Sequence, residues 1–503
     1  MIYSRLHYFT IFWLLISSPF FSSAQAFMWT ENCINAYSES SKLNFVKAAQ
    51  FAQAEKKKHP ENLLIPYIES QSDFIQCFVS EDKKDLTNLK IANYKRIDQI
   101  EDANEKSPYS RLCIAEYYMQ IAVARLKFEE YVSAVYETRK AFKMLEENQR
   151  IYPSFKPNLR SLGFIHAVVG AAPKNYQWMM NLMGFHGSIQ EGLDELKTLL
   201  AATYKQPELV YLRDETIVLL TFLEMNLARD RSNESIRSRF YQIPDLNQKP
   251  LLEFAKVAFH FVNAENDSII DLLSKRFQPP EAYHLNYLDY LYGIARLNSL
   301  DYSAEIYFKK YITAFKGKSF IKSSYQRLAW SRLLQGDKAG YLEAMQNAGD
   351  EKKGNTFTDE DKQALIEAKS NSAPNLYLLK SRLLFDGGYY QRSLAEIAGK
   401  PIAFFPSLRD KLEFTYRLAR IFEKTNKTDL AIQYYEQTIA NGKNYSYYFA
   451  ANSALMLGIL YEGKGDAAKA EDYFRVCLNF RDHEYQNSID QKAKAGLNRL
   501  GKK

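Results

Sequence analysis

Apolar residues recur at spacings of three and four along most of this chain, the periodicity of amphipathic helices, and strand-like alternation is rare. The clearest stretch is LMLGILYEGKGDAAKAEDYFRVCL, residues 455–478. Leu457, Gly458 and Tyr461 fall on one helical face, a polar GKGD turn follows, and Ala470, Phe474 and Cys477 mark a second helix. In LARIFEKTNKTDLAIQYYEQTI, the corresponding roles are taken by Leu418, Ala419, Phe422, Ala431, Tyr435 and Thr438. Gly458 precedes Ala470 by twelve residues, and Ala419 precedes Ala431 by twelve. Small residues in that register let two helices cross closely, and the aromatic fills the space toward the next pair.

Weaker copies follow the same outline. Ile121, Ala122, Tyr131, Ala134 and Ala141 fit it, with Arg125 and Thr138 where aromatics are expected. Gly293, Ala304 and Phe308 fit with a loop one residue shorter. Residues 328–345 and 378–397 keep the helix-turn-helix rhythm, with Gly336 and Gly387-Gly388 at the turns. The pattern resembles the tetratricopeptide repeat, in which Leu-Gly-x-x-Tyr on one helix is followed by Ala-x-x-x-Phe-x-x-Ala on the next. The resemblance implies an all-α, right-handed superhelical solenoid of antiparallel helix hairpins, about a dozen of them at roughly 34 residues each. The 39 residues from Ala419 to Gly458 exceed that period, and the excess falls in NGKNYSYYFAAN. Residues 150–280 do not scan well, so irregular helical pairs are expected in the middle.

The first 26 residues depart from this pattern. They hold one basic residue, Arg5, no acid, a short apolar run and then Ala24-Gln25-Ala26. This reads as a secretory signal peptide cut after Ala26 rather than a membrane anchor, because the apolar run is short and ends in small residues. The expected organisation is thus a leader over 1–26 and degenerate repeats over 27–348. GDEKKGNTFTDEDK, 349–362, lacks an apolar stripe and is expected to be a loop or linker before a repeat domain over 363–503. Gly (20) and Pro (15) are scarce, which argues against both a turn-rich β fold and disorder. The formal net charge of +7 is mild for this length, and the densest basic run, Lys56–Lys58, has Glu55 before it and Glu61 after, so no nucleic-acid partner is expected. Cys33, Cys77, Cys113 and Cys477 allow three pairings in an exported protein. Either Cys33 bonds Cys77 and staples the N-terminal helices, or each cysteine is a small buried apolar residue.

Little in the sequence points to catalysis. No HExxH, GxSxG, Walker loop or CxxC is present, and no two of the seven histidines stand at metal-ligand spacing. The densest candidate is Gly184-Phe185-His186-Gly187-Ser188. Ser188 with Glu191 forms a capping-box pattern, and Gly184 and Gly187 suit a helix end and a turn, so the stretch reads as punctuation between helices. GFxG followed by Gly192-Leu193 resembles a short segment of the eukaryotic tetratricopeptide-repeat protein 39 family, a likeness that carries no catalytic residue. No catalytic, metal or cofactor site is expected.

Aromatic residues make up 14% of the chain, most of them expected in the core. Counting from Gly458 and Ala419, the repeat resemblance places Asn452, Leu455, Ile459 and Glu462, then Glu413, Tyr416, Arg420 and Glu423, along an inner groove. Only Arg420 is basic there, so the carboxylate clamp of some repeat proteins is not expected. The layout resembles exported repeat proteins of unknown role from Gram-negative, Bacteroidetes-like bacteria. The implied function is a scaffold or adaptor that binds a protein or peptide in the periplasm or at the outer membrane, touching the membrane only indirectly. The competing expectation is a small-ligand binder or enzyme with a pocket around His166, Trp178 and His186, within about 160–280. The pattern carries no signal for oligomeric state.

Overall fold

The computed structural model describes residues 26–501, except 173, 228–232, 278 and 371. Apart from Ala26, the expected leader lies outside the described residues. Among them, every regular element is helical. The chain divides into two compact units: the described residues up to Phe78, with Lys83–Arg229 and Pro280–Tyr283, form the first. Val79–Asp82, Asp230–Pro279 and His284–Lys503 form the second.

The helices running through the first unit are α1 (Glu31–Ser41), α2 (Phe45–Lys58), α3 (Leu64–Ser80), α4 (Lys83–Ala103), α5 (Pro108–Lys127), α6 (Tyr131–Ile151), α7 (Leu159–Gly170), α8 (Lys174–Leu182), α9 (Ile189–Lys205) and α10 (Arg213–Leu227). Those of the second are α11 (Asn233–Tyr241), α12 (Pro250–Val262), α13 (Asn266–Ser274), α14 (Asn286–Asn298), α15 (Ala304–Ala314), α16 (Ile321–Leu334), α17 (Lys338–Gly349), α18 (Asp359–Ser370), α19 (Leu376–Asp386), α20 (Tyr390–Ile397), α21 (Leu408–Lys424), α22 (Thr428–Gly442), α23 (Tyr448–Gly463), α24 (Ala467–Asn479) and α25 (Gln486–Arg499).

Consecutive helices pair as hairpins of tetratricopeptide-repeat type: α5 with α6, α14 with α15, α16 with α17, α19 with α20, α21 with α22, and α23 with α24. First helices of neighbouring hairpins also adjoin, as α21 does α23 and α23 does α25. The small-and-aromatic register explains the packing. Ala122 and Ala134 are buried in the first unit; in the second, Ala419, Ala431, Tyr435, Ala470 and Phe474 are buried in one core, Tyr461 is 9% exposed, and Phe422 is half-buried against that core. A Cβ on Gly458 would stand 2.5 Å from the Phe474 ring, and one on Gly496 would stand 2.4 Å from the tip of the same ring. Phe474 thus fills the space that two glycines leave, locking one hairpin onto the next helix.

The middle departs from this order, as expected. Helix α7 pairs with α9, and the short α8 stands between them in sequence. Gly163 and Gly192 form the crossing: a Cβ on either would lie within 3 Å of the other's carbonyl oxygen. The polar stretch 349–362 lies inside the second unit. Asp361, fully buried, accepts from Phe320 N at 2.6 Å and Ser323 N at 3.0 Å and so caps the start of α16. Lys322 Nζ donates to Asp350 O at 2.6 Å. Within this stretch, Asp361 and the Asp350 carbonyl thus satisfy polar groups at the buried start of α16. All four cysteines are buried, and Cys33 and Cys77 belong to different core clusters.

Candidate functional site

Three groups of polar side chains stand out against this apolar packing. The first lies inside the first unit. Arg160 of α7 is 6% exposed, with Nη2 2.6 Å from Glu116 of α5 and Nη1 bonded to Glu215 of α10. Tyr37 and Tyr67 hydroxyls, on α1 and α3, accept from the same guanidinium at 2.9 and 3.1 Å. Ser161 Oγ donates to the other Glu116 oxygen at 2.6 Å, and Gln71 donates to Glu215. Burial raises the Glu215 carboxyl above its ordinary range, against the pull of Arg160 and the Tyr37 hydroxyl. Five helices therefore meet on one arginine whose partners are all protein groups.

The second group surrounds the GFHGS turn. Its backbone behaves as its glycines and serine suggest: Gly184 has φ +79°, and Ser188 caps α9 by accepting from Glu191 N at 3.1 Å. Gly187 is more tightly constrained, because its φ is +140° and a Cβ there would stand 2.7 Å from the His166 backbone. The turn also assembles chemistry that linear spacing hides. His166 Nδ1 lies 2.8 Å from Glu195 and 3.8 Å from Glu191, and the exposed His186 contacts Glu146 at 2.5 Å. The two imidazoles stack at 5.9 Å. Burial opposes a charge on His166, but Glu195, Glu191 and Glu146 together raise its pKa above the ordinary value. Trp178, expected beside them, is 66% exposed.

The third group lies in the second unit, on the face formed by the first helices of its hairpins. The expected groove residues are partly bound to one another. Tyr416 is buried, and its hydroxyl accepts from Arg420 at 2.9 Å and Asn452 at 2.5 Å. Glu413 is buried and takes two donors of Arg417, at 3.0 and 3.2 Å. Glu423 accepts from Tyr435, and Glu462 forms two bonds with Arg499 at 2.6 and 2.7 Å.

Around them stand residues the sequence count did not reach. Arg382 of α19 lies over the Trp330 ring of α16 at 5.0 Å. Trp330 Nε1 and Gln326 Nε2 each donate to Glu367 at 2.7 Å. Arg409 faces Glu484 at 3.6 Å, and Arg327 lies 5.9 Å from Trp330. Burial lowers the Arg382 pKa, but Tyr448, Tyr485, Asp386 and Glu413 together hold it above the ordinary arginine value. Among the described residues, Arg382 forms no hydrogen bond; its nearest carboxylate, Asp386, is 3.9 Å away, and its side chain is 29% exposed. A positively charged fork with free donors, open to solvent and backed by an aromatic ring, is suited to a planar anionic group.

One signal was available for these residues. Ser381 precedes Ser393 by twelve, the repeat's interval, and both are fully buried with hydroxyls 3.0 Å apart. Ser381 therefore stands where other copies have Ala or Gly, and Arg382 holds the position of Arg420 after Ala419. Trp330 follows Ala329 in the same way.

No protein-family model and no curated protein matches the chain. Among solved structures, it is similar to a chain of the crystal structure of the APC/C hetero-tetramer Cut9-Hcn1. The two are 14% identical over 94% of this chain and 96% of that one, with a TM-score of 0.23, too loose a superposition to place residues of one on the other.

Proposed function

We propose that the protein is an exported scaffold whose second unit binds an acidic peptide segment of a partner protein in the cell envelope. One observation carries the reading: Arg382 offers unbonded guanidinium donors above Trp330, with Arg327 and Arg409 nearby and Tyr448 and Tyr485 within electrostatic reach. Stacked hairpins present extended surfaces used for binding, and a carboxylate taken into this cluster gains charge-assisted bonds that water-exposed lysines would not give. Export rests on the leader-like first 26 residues.

Labelled peptides of equal length, one with glutamates and one with glutamines, test the site by fluorescence anisotropy. The acidic peptide is expected to bind, more weakly as salt rises, and Arg382→Ala should weaken it by about tenfold, the worth of one charge-assisted bond. Equal binding of both peptides, or no effect of Arg382→Ala, would overturn the reading. N-terminal sequencing of the protein from the native envelope tests export: it should begin at Phe27, and a start at Met1 contradicts the leader.

A further inference from the structure

The cluster at the GFHGS turn is independent of the arginine site. His166 Nδ1, Glu191 and Glu195 each offer one ligand atom, and all three lie within 4.8 Å of one another. Glu191 and Glu195, four residues apart, share a face of α9, and the glycine crossing of α7 on α9 brings His166 against that face. Ligands about 2.1 Å from a tetrahedral zinc stand roughly 3.4 Å apart. The Nδ1 distances of 2.8 and 3.8 Å bracket that value, so side-chain rotation suffices to close the shell.

A further observation points to a cation. Among the described residues, no Lys or Arg forms an ion pair with Glu146, Glu191 or Glu195; their ion-pair partners are the two imidazoles. His166 is 5% exposed, and Nδ1 is the ring nitrogen that meets the carboxylates. Phe142 and the Gly187 backbone hold the ring by packing, with Nδ1 aimed at the carboxylates. Burial is graded across the site, from His166 inside, through Glu195, to Glu191 at 49% exposure, which leaves an approach from solvent.

We propose that His166, Glu191 and Glu195 bind a divalent first-row transition metal, zinc being the best fit, with a position left for water or an anionic ligand. One imidazole nitrogen and two carboxylates are a zinc donor set, whereas calcium and magnesium favour shells of oxygen alone. His186 and Glu146 stand beside this shell and are not needed to complete it.

Untagged full-length chain, freed of metal by chelation, is titrated with zinc and separately with magnesium by isothermal calorimetry. One zinc per chain is expected, with no magnesium binding at the same concentration. Glu191→Gln is exposed enough to leave the fold intact, and it should weaken zinc at least about ten- to hundredfold, the cost of losing even an outer partner. Glu195→Gln should do the same, whereas His186→Ala should keep one zinc at near-native affinity. Cobalt in place of zinc should give visible absorption bands that the Glu191→Gln/Glu195→Gln protein lacks. Absence of zinc binding, or binding unchanged in that double variant, would overturn the proposal and leave the cluster as an internal ion pair.

Discussion

Arg160 in the first unit and Arg382 in the second occupy comparable places in their repeats and are used in opposite ways. Arg160 lies three residues before the small residue Gly163, and its partner Glu116 lies six before Ala122. Arg382 lies one after Ser381, and Glu413 lies six before Ala419. All four fall at offsets that the repeat resemblance assigns to one face of the first helices. In the first unit these positions close on themselves: Arg160 meets two carboxylates and two phenols. In the second, Glu413 is taken by Arg417, and Arg382 keeps its donors unbonded and partly exposed. Charge on an inner helical face therefore does not announce a binding site. What distinguishes the two is whether the protein itself consumes the hydrogen bonds.

The largest effect that tests this contrast is expected at Arg160. Arg160→Met leaves Glu116 and Glu215 buried without their cation, which costs about 3–5 kcal/mol. Urea unfolding followed by a first-unit probe such as Trp29, stacked on Tyr211 at 3.8 Å, should show the loss. Replacing Arg160, Glu116 and Glu215 together by apolar residues should restore most of it, because a satisfied buried ion network is close in stability to well-packed apolar side chains. If Arg160→Met were tolerated, Arg160 would be no more structural than Arg382 and the contrast would fail.

A third arrangement sharpens it. Glu253 of α12 is fully buried beside Arg276, 3.2 Å from its Nε, yet neither carboxylate oxygen makes a hydrogen bond. Burial pushes its pKa from an ordinary 4.5 up to about 7, with Arg276 opposing. Because the folded pKa lies above the unfolded one, the folded state holds this proton more tightly. Its contribution is fully present below about pH 4.5 and is lost as pH rises toward 7, on the order of 3 kcal/mol in all. Glu253→Gln should flatten that part of the second unit's stability profile and raise its melting temperature at pH 8. An unchanged slope between pH 4.5 and 7 would mean that Arg276 compensates the charge as fully as the partners of Arg160 do.

The sequence revealed the repeats most clearly where small and aromatic residues recur in register. Gly458, Ala470 and Phe474 are legible because a Cβ at Gly458 would enter the Phe474 ring, so the packing constrains residue type directly. Ser381 was harder to read because a buried serine paired with Ser393 fills the same space without looking like the pattern, and Arg382 and Trp330 were missed with it. The GFHGS turn was legible as backbone, from its glycines and its cap. Its side-chain chemistry was not, since His166 meets Glu195 only through a helix crossing that skips α8. The buried Arg160 network spans five helices and has no local signature at all.

The smallest expected change in stability is at Arg382, and it completes the contrast. Arg382→Ala removes no hydrogen bond within the protein; it removes the contact over Trp330, a 3.9 Å approach to Asp386 and the longer-range attraction that Glu367 and Glu413 feel. A half-buried cation–π contact and a loose ion pair are together worth about 1–2 kcal/mol. The melting temperature should therefore move little, while the variant still loses acidic-peptide binding. Arg382→Lys separates charge from shape: it keeps the positive charge but not the planar fork, so binding that needs two parallel bonds to a carboxylate should stay weak. If lysine restored binding fully, the cluster would act as a diffuse positive field and the aromatic backing of Trp330 would not matter. If Arg382→Ala instead unfolded the second unit, Arg382 would belong with Arg160, and the free donors would not mark a binding site.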